Sequence, residues 1–202
     1  MKILIFGASG MLGNNLFKIF SENINFEPYG VVRNKVKIGH TLENSKNLIE
    51  ISDVRNFEEV FQICENISPN VIINCIGIIK QKKDIDNRIQ TIQINSLLPH
   101  QLFNISKKVG AKLSQFSTDC VFSGKEGNYE EIHNPDAEDI YGLSKRLGEV
   151  HDKGALTLRT SIIGHELNTA KSLIDWFLSQ KEEVKGFKNA IFSGLTTIEM
   201  GK

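Results

Sequence analysis

The sequence predicts an α/β protein built on a doubly wound parallel sheet, and three observations lead there. Short apolar runs recur at residues 3–6, 26–32, 47–51, 71–75, 112–117 and 156–159. Longer stretches with helical periodicity separate them, at residues 11–21, 57–67, 89–109 and 141–151. A glycine-rich turn joins the first run to the first helix. Runs that are apolar throughout, rather than alternating, fit strands covered on both faces. Repeated strand–helix units with right-handed crossovers then give the doubly wound sheet.

Taken in order, the first strand is Ile3-Leu4-Ile5-Phe6, and Gly7-Ala8-Ser9-Gly10-Met11-Leu12-Gly13 follows it into helix 11–21. Gly7 permits the tight turn, Gly10 lets the backbone approach a pyrophosphate, and Gly13 lets the helix pack close to the sheet. A helix N-terminus offers free N–H groups and the positive end of its dipole, so Ser9, Met11 and Leu12 are expected in the same cradle. This is the pattern of a Rossmann dinucleotide site.

The second strand ends at Val31-Val32 and is followed by Arg33-Asn34-Lys35. An NAD site normally carries an acid there to bind the ribose hydroxyls, whereas a guanidinium suits a 2′-phosphate. NADP(H) is the expected cofactor, with Arg33 at its 2′-phosphate. The third strand leads to Ser52-Asp53-Val54, where Asp53 either accepts from the adenine amino group or caps helix 57–67. The fourth leads through Asn74-Cys75-Ile76-Gly77 towards helix 89–109.

The fifth strand ends in Ser117-Thr118-Asp119, at the edge of the sheet where ligands bind in such folds. A polar stretch, residues 123–139, follows it, and a loop of that length is usually functional or disordered. Tyr141 and Lys145 come next, four residues apart and therefore on one helix face. The sixth strand ends in Arg159-Thr160-Ser161 at the same edge. Beyond about Gly164 the pattern loosens into one helix, residues 170–180, and a glycine-containing tail. Trp176 and Phe177 on that helix are expected to pack in a core or an interface.

Composition narrows the function classes. Lys plus Arg and Asp plus Glu each number 24 in 202 residues, so no net charge points to nucleic acid or an anionic membrane. Cys64, Cys75 and Cys120 lack ligand or disulfide spacing, and the five histidines suggest no metal site. The first apolar run stops at Gly7, too early for a secretory leader, and no run reaches transmembrane length. A cytoplasmic protein without membrane or nucleic-acid partners is expected.

The residues at the sheet edge suggest proton transfer. A tyrosine titrates near pH 10, so acid–base work at neutral pH needs a cation nearby. Lys145 and an oxidised nicotinamide together are expected to lower Tyr141 by about three pH units, roughly 4 kcal/mol. Lys145 would also hold the nicotinamide ribose, and Thr118 would orient the substrate oxygen.

The ordered set Gly7-x-x-Gly10-x-x-Gly13, Asn74-Cys75-Ile76-Gly77, Ser117-Thr118-Asp119-Cys120-Val121-Phe122, Tyr141-x-x-x-Lys145 and Arg159-Thr160-Ser161 resembles the extended short-chain dehydrogenases. Within these it is most similar to the dTDP-4-dehydrorhamnose reductase branch. The resemblance implies a catalytic set of Thr118, Tyr141 and Lys145, with NADPH reducing a 4-keto group on a nucleotide-activated sugar. It extends the expected cofactor contacts to Val54, Cys75, Ile76, Gly77, Asn95 and Ser117. Expected substrate contacts are Lys80, Asp119 and Cys120.

Cys120 stands where the rhamnose enzymes usually carry an aromatic residue, and residues 77–81 also depart from them. A reductase for an N-acetylated UDP-sugar is therefore as reasonable as one for the rhamnose precursor. Residues 193–199 resemble a segment well inside the family's substrate domain, which normally continues for several tens of residues. The expectation is a cofactor domain at 1–163 and an incomplete substrate-binding part at 164–202. Such a chain would bind NADPH, reduce sugars slowly and form a homodimer through exposed apolar surface. Two other readings stay open, a non-catalytic regulatory subunit like that of methionine adenosyltransferase and a nucleotide-sugar epimerase.

Overall fold

Strands β1 (Lys2–Phe6), β2 (Glu27–Val32), β3 (Leu48–Glu50), β4 (Val71–Asn74), β5 (Lys112–Phe116) and β6 (Ala155–Leu158) form one parallel sheet. Their order in this computed structural model is β3-β2-β1-β4-β5-β6, and residues 1–35, 46–80, 85, 87–167 and 172–202 are described. The doubly wound sheet is as the sequence predicts. The strand order reverses between β1 and β4, which opens a crevice beyond their C-terminal ends.

The alternation along β1 explains why its run is apolar throughout. Leu4 and Phe6 join one buried cluster with Val31, Ile72, Leu98 and Leu113. Ile3 and Ile5 point the other way, into a second cluster with Leu12, Leu16, Phe17 and Ile73. Each such side chain stabilises the fold by about 1.5–3 kcal/mol through burial, so a strand covered on both faces favours an unbroken apolar run. Helix α1 (Met11–Ser21) covers the second face, and α2 (Phe57–Ile67) and α4 (Leu98–Val109) cover the first.

The predicted helix 89–109 is not one regular helix. It divides into α3 (Arg88–Thr91), a π-helical stretch (Ile92–Leu97) and α4. Pro99 supplies a reason: in an α-helix its ring would clash with the carbonyl four residues back, that of Asn95. The wide turn avoids this, with the Leu98 N–H bonded to the Gln93 carbonyl. It also turns Asn95 and Ser96 inward, both buried, against α5 (Ile140–Leu147).

Helix α5 ends at Gly148, sooner than the predicted residue 151. A Cβ on Gly148 would lie 2.0 Å from the Asn95 carbonyl oxygen, so only glycine allows this approach. The tail forms α6 (Leu173–Ser179), and residues 170–171 of its predicted span lie outside the described residues. A parallel pair, β7 (Ile162–Ile163) with β8 (Leu195–Thr196), was not anticipated. Ile162 and Ile163 precede the expected boundary at residue 163, and their partners follow it. Trp176 and Phe177 are half exposed, so they belong to no core of this chain, and Leu173, Leu178, Phe187 and Ile191 are exposed as well. Among the described residues no helix is long and apolar enough to cross a membrane.

Candidate functional site

The crevice holds a cleft of about 460 Å³. Gly10, Met11 and Leu12 line it from the start of α1, and Cys75 to Lys80 from the segment after β4. Phe116, Ser117, Thr118 and Cys120 line it from the end of β5, and Tyr141 and Lys145 from α5. Twelve residues named from the sequence, Gly10, Met11, Leu12, Cys75, Ile76, Gly77, Lys80, Ser117, Thr118, Cys120, Tyr141 and Lys145, thus share one cavity.

The glycine turn is shaped by close contacts. Gly7 has φ +83°, and a Cβ there would sit 3.0 Å from Ile76 and 3.2 Å from the Cys75 carbonyl carbon. A Cβ on Gly13 would come within 2.3 Å of the Gly7 carbonyl oxygen. Gly10 starts α1 with no capping side chain and no acid in the first turn, which leaves the helix end suited to an anion. These features fit the diphosphate of a dinucleotide.

The remaining named residues lie outside the cleft lining. Ser9 is partly buried in the turn. Arg33 is exposed just past β2. Asp53 is held by the Arg55 guanidinium at 2.6 to 2.9 Å, which keeps its carboxyl below the usual range. Asn56, not Asp53, caps α2. Val54 packs in the core. Asn95 donates to the Ile78 carbonyl at 3.0 Å and to Ser144 at 3.1 Å, and accepts from the Ile78 N–H at 2.8 Å. It ties the loop after β4 to α5. Asp119 accepts from Ser161 at 2.6 Å and from Thr118 at 3.2 Å.

Tyr141 and Thr118 line the same cleft. Within the chain, burial pushes the phenol up to about 12, with Cys120, Asp119 and Asp139 adding to the rise and the Thr118 hydroxyl opposing it. The lowering expected from the sequence needs an oxidised nicotinamide as well as Lys145. Lys145 donates to the Phe116 carbonyl at 2.6 Å and is itself lowered to about 8 by burial. Burial also raises the Cys75 thiol to about 12, so it stays uncharged near neutrality.

Two acids escaped the sequence reading. Asp139 caps α5, accepting from the Tyr141 and Gly142 N–H groups at 3.0 Å each. It also pairs with Lys80 at 3.0 Å, and that ammonium lies 5.6 Å from the centre of the Tyr141 ring. An acid two residues before a helical tyrosine is a capping signal that could have found it. Glu149 is buried and accepts from Ser117 at 2.7 Å and from Nε and Nη2 of Arg159 at 2.9 and 2.8 Å. Its only sequence signal is its place four residues after Lys145.

A family model described as the RmlD substrate binding domain matches residues 1–186. Methionine adenosyltransferase 2 subunit beta of Danio rerio is 30% identical over 171 residues, 82% of this chain and 49% of the relative. The chain therefore spans about half the length of the curated relatives it matches. A dTDP-4-dehydrorhamnose reductase structure from Clostridium acetobutylicum aligns with TM-score 0.78 at 25% identity, covering 100% of this chain and 68% of that one. The Bacillus anthracis dTDP-4-dehydrorhamnose reductase, solved in complex with NADP, aligns with TM-score 0.62 at 31% identity, covering 80% and 53%.

Proposed function

The chain belongs to the RmlD substrate binding domain family, and on that premise we propose that it is the cofactor-binding and proton-donating part of an NADPH-dependent reductase of nucleotide-activated 4-keto sugars. The observation that carries the reading is the convergence of Thr118, Tyr141 and Lys145 with the uncapped start of α1 in one cleft. When bound, NADPH supplies a hydride to the carbonyl carbon. Tyr141 donates a proton to the carbonyl oxygen, giving the alcohol, while Thr118 holds that oxygen in place. Lys145, still mostly an ammonium at neutral pH, holds the nicotinamide ribose and favours the phenolate left behind.

Gly7, Ser9, Gly10, Met11, Leu12 and Gly13 cradle the diphosphate in this reading, and Arg33 meets the 2′-phosphate. Val54, Cys75, Ile76, Gly77, Asn95 and Ser117 complete the cofactor's surroundings, Val54 and Asn95 by packing and tethering. Lys80, Asp119 and Cys120 face the sugar nucleotide. Titration by NADPH fluorescence tests the cofactor choice. NADPH is expected to bind more tightly than NADH, and Arg33→Ala to shrink the difference by about 1.5–3 kcal/mol, the range for a charge-assisted hydrogen bond. Equal affinities for the two cofactors before mutation would remove Arg33 from the argument.

A second reading, a non-catalytic NADP-binding regulatory subunit, is favoured by one finding, the Danio rerio relative. It predicts cofactor binding with no hydride transfer to any sugar. The retained Thr118, Tyr141 and Lys145 favour chemistry.

A further inference from the structure

Lys145 and Glu149 hold neighbouring residues at the end of β5. The lysine ammonium donates to the Phe116 carbonyl at 2.6 Å, and the Glu149 carboxylate accepts from the Ser117 hydroxyl at 2.7 Å. Thr118, which lines the cleft with Tyr141, follows directly. Glu149 is reached because α5 stops at Gly148, whose lack of a side chain lets the turn lie on the Asn95 carbonyl. Arg159, just past β6, closes the carboxylate from its other side. The Glu149 side chain is 1% exposed and Lys145 is half-buried on the cleft wall, so a charge on either is felt by the other more strongly than between two exposed groups.

We propose that Glu149 is a positioning residue whose buried carboxylate keeps Lys145 in its ammonium form and, through Ser117, fixes the strand end that aims Thr118 at Tyr141. A neutral lysine would lose its charge beside the tyrosine. Burial lowers Lys145 to about 8, and Glu149 is the largest influence opposing that fall, ahead of Cys75. The other ionisable groups on α5 and the elements packed around it are, among the described residues, Tyr141 and Arg146 on the helix itself, Arg88 on α3, and Asp119 and Cys120 in the turn after β5. Asp139 caps the helix at its far end, paired with Lys80. His151 lies 3.7 Å from Glu149 on the exposed side.

The inference deepens the proposed chemistry, since Lys145 belongs to it, but its test reads the lysine directly and needs no substrate. The full chain is labelled with ¹³Cε-lysine and titrated by NMR, with the Lys145 signal assigned by its loss in Lys145→Arg. The wild-type midpoint is expected near 8. Glu149→Gln can still accept from Ser117 but carries no charge, so the midpoint should fall by about one pH unit or more. Arg159→Gln leaves the carboxylate less neutralised, and the midpoint should rise. Opposite movements in the two variants are what a purely structural role does not produce. An unchanged or raised midpoint in folded Glu149→Gln overturns the proposal. If that variant does not fold, an unchanged or lowered midpoint in Arg159→Gln does the same. Absence of sugar turnover would count against the reductase reading and leave this result standing.

Discussion

Tyr141→Phe is expected to lower sugar reduction by about 10²–10⁴-fold, the usual worth of a positioned general acid. The change removes one oxygen and keeps the ring, with Lys80 still 5.6 Å from its centre. The cleft should keep its shape, and NADPH affinity should stay nearly constant. Parallel measurements of turnover and NADPH binding separate the two effects. Unchanged turnover would place the proton donor elsewhere in the cleft.

Gly13→Ala is expected to be the most damaging single-methyl change in the cofactor site. Its Cβ would lie 2.3 Å from the Gly7 carbonyl oxygen and 2.8 Å from the carbonyl carbon. Both contacts are to backbone, so no side chain can swing aside. That same carbonyl accepts from the Gly10 N–H at 2.9 Å, which shapes the turn ahead of α1. Relief requires α1 to move away from β1, where Leu12, Leu16 and Phe17 are buried against Ile3 and Ile5. Overpacking of this kind costs on the order of 3 kcal/mol. A fall in melting temperature of several degrees should accompany loss of most NADPH affinity, as calorimetry and titration would report. Normal cofactor binding by a stable Gly13→Ala protein would mean that the turn does not serve as the cradle.

The fold was legible because the two central strands are marked by their composition. Ile3 to Phe6 and Val71 to Ile73 are apolar on both faces, as a strand covered on both sides requires. The tyrosine–lysine pair was legible because helical spacing alone puts residues 141 and 145 on one face. The π-helical turn was not, since apolar periodicity fixes a helix's facing side but not a local extra residue. Pro99 was its one visible cause. Glu149 was hidden for a different reason. Its importance comes from burial beside Ser117, on another strand, and from Arg159, on a third segment, and neither proximity is written in local sequence. The Lys145 contact was hidden in the same way, because spacing shows that Lys145 is near Tyr141 but not that its ammonium bonds to the Phe116 carbonyl.

Hydride destination is the most direct test of the central claim. The chain is incubated with NADPH carrying deuterium at the transferable position and with a panel of dTDP- and UDP-linked 4-keto sugars, and the sugars are read by mass spectrometry. Slow turnover still accumulates label. The account predicts deuterium on the former carbonyl carbon of at least one sugar, lost in Tyr141→Phe. NADPH bound by the chain with no deuterium in any sugar would contradict it and favour the regulatory reading.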